Sequence, residues 1–468
     1  MNNRAVKRVL LFFLELSIIA VLFFSCPDSL SPEKQRCYFV LCAQLPIFWT
    51  VQLLIMHFER EIDLFSPLLL VTLIHMLLFE ITPLLCLLTD DLLLLGQDLW
   101  GGCVKGTWLS TIGFLALTAA YLFSSGGKSR REMKREQMDI PVDRSRFCLQ
   151  VNVVIWIIAF LAQMYYLRGT GKNLAYVLSL SLSQYSVATQ KGSAIQFLGV
   201  VAYAMLPSYL YIIICSKKRI WNAVLFYLMA VTFVARGFRF ILVAVIVSPL
   251  ILYCLMKEKR PRLRHVLIVF LLLVAMITVV GSIRYDFRAG KGITERALNS
   301  MTLNAAIEAV KGNFEIFKAY YGIVEHIPKV MGYTYGKQII YYTAVMMIPR
   351  FLWHGKPQPP MRDVMRISVC PYAVNAGMAY PYIGEYYHEF GALGVIAGCF
   401  LLGFFCKWLA RFKNVRNIHA MVLFSTVYPL MLQILIRGYT PSNFYMVLFV
   451  ILPILLSAYL TRNVGVVE

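Results

Sequence analysis

Long apolar runs separated by short polar segments occupy most of this chain. A helix needs about 20 predominantly apolar residues to cross the hydrocarbon core of a bilayer. The runs predict spans at 8–26, 37–57, 64–88, 107–124, 147–166, 193–215, 221–235, 240–256, 265–283, 391–409, 418–436 and 444–460. The predicted fold is therefore an all-α polytopic integral membrane protein of about 12 transmembrane helices, with both termini on one side. Spans 1–9 and their short loops fill 1–283, one long connection fills 284–390, and spans 10–12 fill 391–468. Arg4, Lys7 and Arg8 precede an apolar run ending in "LFFSCPDS", as in a signal peptide. Phe23 stands where a lipoprotein site carries a small aliphatic residue, so an uncleaved first helix is expected.

A connection as long as 284–390 is usually functional. Within it, Phe314, Phe317, Tyr321 and Val324 recur at helical spacing and predict a helix lying on the membrane surface. "QIIYYTAVMMIP" (338–349) is too short to span and fits a re-entrant or interfacial segment. "IPRFLWHGKPQPP" (348–360) follows, and its prolines predict an extended strap.

Composition agrees with the pattern. The chain is 59% hydrophobic, more than a soluble protein of 468 residues could hide. Its net charge of +21 then reads as topology signal facing an anionic inner leaflet. The basic segments 128–146, 216–219, 257–264 and 407–416 all fall on the N-terminal side, and the acidic loop "TDDLLLLGQDLWGGC" falls opposite. Both termini are thus expected in the cytoplasm. No zinc finger, RNP pattern or separate basic domain supports a nucleic-acid partner. The eleven cysteines are scattered without a CxxC pair and read mostly as small buried hydrophobes. Cys103 and Cys370 are the ones expected to meet an oxidising compartment.

Against this bias, four segments place cations on the external side. They are Arg236 with Arg239, Arg284 with Arg288, Arg350 with Lys356, and Arg437. The arginine fork binds phosphate oxygens in pairs and stays charged, so it suits a lipid-linked diphosphate held without a metal. Each equally suits a contact with lipid headgroups. Glu385 and Glu389 are four residues apart on one helical face, with His388 beside them, which suits activation of a hydroxyl. Trp353 and Tyr387, like Tyr380, Tyr382 and Tyr386, offer faces for sugar stacking or for an interfacial aromatic belt. "HEFGA" has Ala392 where HExxH needs its second histidine, "AGKG" lacks the rest of a P-loop, and no DxD pair occurs. "GVIAG" (394–398) reads as a helix-packing GxxxG.

"IPRFLWHGKP" followed by "IGEYYHEFGALG" resembles the Wzy-type polymerases of O-antigen and other oligosaccharide repeat units. Pro349, Arg350, Lys356 and Pro357 match the first family segment, and Gly384, Glu385, Tyr387, Phe390, Gly391 and Gly394 match the second. "RGFR" in a short external turn is similar to the family's arginine turn. The resemblance implies a polymerase of the bacterial inner membrane, working without a cofactor. It would move a growing glycan from undecaprenyl diphosphate onto a new lipid-linked repeat unit, with membrane lipids around it and with or without a chain-length regulator. Arg236, Arg239, Arg284 and Arg350 would neutralise the departing diphosphate, and Glu385 would activate the acceptor, with Glu389 and His388 as alternatives. An O-antigen ligase shares this layout. A transporter would instead use the intramembrane Glu15, His75 and Glu80, which form no evident pair.

Overall fold

The computed structural model describes residues 3–59, 64–89, 93–94, 97–123, 142–169, 198–216, 218–236, 239–258, 316–348, 352–357, 379–413 and 417–463. These residues are almost wholly helical. The first helices are α1 (Asn3–Phe24), α2 (Pro32–Glu59), α3 (Pro67–Leu88), α4 (Cys103–Phe123) and α5 (Val142–Gly169). Next come α6 (Leu198–Cys215), α7 (Arg219–Arg236), α8 (Arg239–Met256) and α9 (Ile316–His326). A π-helical turn, Lys337–Tyr342, runs into Thr343–Met346 to form α10. The last are α11 (Tyr382–Phe412), α12 (Ile418–Ile436) and α13 (Thr440–Asn463). A small antiparallel hairpin, β1 (Leu93–Leu94) with β2 (Gln97–Asp98), joins α3 to α4.

Eight of these helices are long and apolar enough to cross a membrane: α3, α4, α5 from Ser145, α6, α7, α11, α12, and α13 to Thr461. The shorter apolar stretches Phe13–Phe24 and Phe240–Met256 coincide with two further predicted spans. The span predicted at 265–283 lies outside the described residues.

Local chemistry sets several boundaries. Pro67 sits in the first turn of α3, where its missing amide hydrogen costs nothing. The Asn417 side chain accepts from His419 N at 2.8 Å and caps α12. Inside α3 the ladder loosens to a π turn at Leu77–Ile81, just before Pro83, which has no amide hydrogen to donate. The Thr82 hydroxyl covers the Leu77 carbonyl there at 2.6 Å.

α11 is not one straight rod. Phe390 (φ −137°, ψ 21°) and Gly391 (φ 63°, ψ −143°) interrupt it. A Cβ on Gly398 would sit 2.5 Å from the Tyr386 ring, and one on Gly394 would sit 2.2 Å from the Tyr386 carbonyl oxygen. In a straight helix, positions 386 and 398 would stand about 18 Å apart. The arm 382–389 therefore doubles back along the long arm that follows Gly391. Gly391 occupies backbone space that side chains rarely adopt, and a Cβ on it would meet the Tyr333 hydroxyl at 2.9 Å. "GVIAG" thus receives Tyr386 from its own helix. Contact with α4 runs along the same arm: Val395 lies on Gly113, and further on a Cβ on Gly403 would approach the Leu117 carbonyl oxygen to 2.2 Å.

The helix on the long connection forms as α9, but it does not lie on a surface. Phe317, Tyr320, Tyr321, Ile323 and Val324 cover all sides of it, and every residue from Phe317 to Val324 is buried. It packs against α4 and α11, with the Tyr320 hydroxyl on Gly106 O at 2.8 Å. The proline-rich strap is likewise not extended where it is described: Lys356 N donates to Trp353 O at 3.1 Å, closing a turn.

Contacts fix the helix directions. Tyr38 of α2 donates to the Leu22 carbonyl near the end of α1. Cys37 forms a disulfide with Cys103 at the start of α4, Cα to Cα 5.9 Å. Cys103 is thus paired, with the cysteine that opens the predicted span 37–57; Cys370 lies outside the described residues. Thr461 and His419 meet at the opposite end of the bundle, 3.4 Å apart. The first and last described residues therefore share the end of the bundle that also carries the basic turns after α6 and α11. The α11 reversal lies at the other end.

Candidate functional site

The short arm of α11 carries the acidic motif, and both glutamates are occupied. The Glu385 carboxylate accepts from Thr440 N at 2.9 and 3.1 Å and from the Thr440 hydroxyl at 2.6 Å. It caps the first turn of α13, where unsatisfied backbone N–H groups favour an anion. The Glu389 carboxylate accepts from Gln338 N at 2.9 Å, from Ile339 N at 3.2 Å and from Gly336 N. It caps α10 in the same way. Thr334 N and Tyr335 N also donate to the His388 and Glu389 carbonyls, at 3.1 and 3.0 Å. The spacing of four residues thus puts two carboxylates at two different helix N-termini. Both glutamates are fully buried.

His388 is equally buried, and neither ring nitrogen has a hydrogen-bond partner among the described residues. A buried polar group without a partner costs stability, so such groups mark positions kept for another reason.

Tyr387 points elsewhere. Its hydroxyl donates to Ile327 O at 3.0 Å and accepts from Lys105 Nζ at 2.6 Å, and its ring meets Tyr333 edge-on at 6.0 Å. It is 1% exposed, so neither face of the ring is open to a sugar. Trp353 is half-buried in the turn that leads to Lys356. Burial, with the Tyr387 hydroxyl beside it, holds the Tyr333 hydroxyl above its ordinary pKa, so it stays neutral.

Lys356 is 5% exposed, and its ammonium donates to the Met346 and Ile348 carbonyls at 2.6 and 2.9 Å. It clamps the C-terminal end of α10 rather than standing free for a ligand. α10 in turn docks on α13 through the Tyr445 hydroxyl, 2.9 Å from Thr343 O.

Arg236 and Arg437 converge from two different turns. The Arg236 guanidinium lies over Tyr166 at 5.0 Å and Tyr203 at 5.2 Å and donates to the Gly199 carbonyl. Arg437 lies over Phe240 at 6.0 Å, and both arginines act electrostatically on the Tyr203 hydroxyl. Arg437 is three residues from Thr440, and Gly438 N donates to Tyr380 O at 2.8 Å, so this pair adjoins the α11 motif. Arg239 opens α8; its side chain lies outside what is described. Arg284, Arg288 and Arg350 also lie outside the described residues.

One of the intramembrane groups reaches the short arm of α11. His75 bonds the Tyr382 hydroxyl at 3.1 Å inside a ring of Phe48, Phe79 and Phe114. Both Glu80 carboxyl oxygens lack partners among the described residues. Among those residues no three of His, Cys, Asp and Glu gather into a metal-holding group.

Sequence reasoning missed Thr440, Gln338 and Lys105. "YTPSN" carries a helix-start signal, but nothing in the sequence names its acidic partner 55 residues upstream. Lys105 carried the same signal as the arginines, a cation against the charge bias, in "GGCVKGT".

A family model described as O-antigen polysaccharide polymerase Wzy matches residues 6–463, nearly the whole chain. No curated protein and no solved structure matches it.

Proposed function

The chain belongs to the O-antigen polysaccharide polymerase Wzy family, and we propose that it extends glycans held on undecaprenyl diphosphate at the periplasmic face of a bacterial inner membrane. The α11 reversal marks the external end of the bundle in this reading. Two observations support that side. The described basic turns, those after α6 and α11, lie at the opposite end, as the positive-inside bias requires. The Cys37–Cys103 disulfide lies at the reversal end, and disulfides persist in oxidising compartments. The termini are then cytoplasmic.

The observation that carries the chemistry is His388, a buried imidazole with both nitrogens unpartnered among the described residues, between two carboxylates already committed to helix N-termini. It is the base with free valence. The hydroxyl of the acceptor's terminal sugar gives its proton to His388 and attacks the anomeric carbon of the growing chain. A carbon–oxygen bond forms, the anomeric carbon–phosphate oxygen bond breaks, and undecaprenyl diphosphate leaves with the electron pair. Arg236 and Arg437, with Arg239, Arg284, Arg288 and Arg350, supply positive charge for the departing diphosphate. Positioned donors of this kind contribute roughly 3–4 kcal/mol each to a transition state. Glu385, Glu389 and Lys356 act on geometry: they hold α13, α10 and the Trp353 turn around the motif.

Deletion of the gene in its bacterium tests the assignment. Lipid-linked and surface glycans should then show single repeat units with no ladder. Long chains stranded on the lipid carrier would make the protein a ligase, and an unchanged profile would remove it from glycan assembly.

A further inference from the structure

A further cation adjoins the site on the side of α4. Lys105 lies in the first turn of that helix and is exposed, yet its ammonium is held 2.6 Å from the Tyr387 hydroxyl. Tyr387 is anchored by its bond to Ile327 O and by Tyr333 at its ring edge, so Lys105 has a fixed direction. Among the described residues no carboxylate lies within salt-bridge distance of it. An ammonium has three protons to donate, and the tyrosine takes one.

What lies below Lys105 gives the cation its meaning. Trp108, Ile112 and Leu115 follow on the same face of α4 at helical spacing and are 50%, 42% and 41% exposed. On a helix apolar enough to span a membrane, that stripe faces lipid tails, with Trp108 at the depth where indole anchors to the interface. The opposite face of α4 is buried against α9 and α11, where Tyr321 lies on Gly106 and Val395 on Gly113. Lys105 therefore caps a lipid-facing stripe and also bonds Tyr387, which places a cation where the hydrocarbon boundary meets the short arm of α11.

Building on the polymerase reading, we propose that Lys105 is a phosphate-binding residue on the lipid-facing rim of the site, receiving the diphosphate of the lipid-linked repeat unit at the outer end of α4. The lipid tail lies along the Trp108, Ile112 and Leu115 stripe. The same ammonium could take the phosphate of any anionic lipid headgroup, and the experiment separates the two sources.

The test uses the full chain in phosphatidylcholine vesicles, with and without phosphatidylglycerol, and purified lipid-linked repeat units as substrate. Lys105→Gln should raise the KM for the repeat unit by about 10-fold, the loss expected for one charged hydrogen bond, with kcat within about twofold. Lys105→Arg keeps the charge and should recover most of the KM. Thermal unfolding of both variants should match the wild type, since the side chain is exposed. An unchanged KM for Lys105→Gln overturns the proposal, and so does an arginine variant as impaired as the glutamine one. A defect seen only with phosphatidylglycerol assigns Lys105 to ordinary headgroups and also overturns it. If the wild type makes no ladder in phosphatidylcholine, the polymerase reading fails and this inference falls with it. A wild-type ladder beside an unaffected Lys105→Gln variant removes the inference alone.

Discussion

Replacing His388 with leucine lowers chain extension by about 100- to 10,000-fold, the range a positioned general base supplies, and leaves the protein as stable as before or more stable. Both halves follow from one observation: the imidazole is fully buried and neither nitrogen has a described partner. Burying an unpaired polar atom costs about 1–3 kcal/mol. Leucine removes that cost and fills similar space. A histidine that served packing alone would give the reverse, a stability loss with activity retained in the folded fraction. The checks are ladder length on gels at matched protein level, and the unfolding temperature of the detergent-solubilised protein. A His388→Leu variant that builds chains of normal length moves the base to another residue, with Glu385 next in line.

Glu389→Ala should act through the fold instead. Its carboxylate takes the N–H groups of Gly336, Gln338 and Ile339, and all of them lose their acceptor at once. Uncapping a buried helix start and stranding its donors costs about 3–5 kcal/mol, the range seen when one partner of a buried charged network is removed. α10 then loosens from α11, and the segment leading to Lys356 goes with it. Activity and unfolding temperature should fall together, and 336–348 should become a site of limited proteolysis. Glu389→Gln keeps an acceptor oxygen and should recover part of both. Loss of activity at unchanged stability and protease resistance would instead give Glu389 a direct part in the chemistry.

These two residues also mark how far the sequence could be read. Apolar run length located the helices now seen at Pro67–Leu88 and Ile418–Ile436, because a spanning helix must be continuous and apolar. Helical spacing put Glu385 and Glu389 on one face, but gave no sign of their partners, Thr440 and 336–339, which come from fifty or more residues away. Two carboxylates side by side therefore suggested acid–base chemistry, where the fold uses them as caps. The reversal at Phe390–Gly391 was hidden for a similar reason. "FGALG" shows a glycine, and only the packing of Tyr386 on Gly398 reveals that the chain turns back. α9 has tyrosines that suit a membrane surface equally well, so its periodicity could not tell a surface helix from a buried one. Cys37 stood at the edge of an apolar run and carried no sign of its partner.

The central claim is that this single chain joins lipid-linked repeat units to one another. Purified protein in vesicles, given undecaprenyl-diphosphate-linked repeat units as its only glycan, measures that directly. A ladder of products is expected, with one undecaprenyl diphosphate released for each new linkage. Units that remain single, or that are hydrolysed from the carrier without joining, would contradict it.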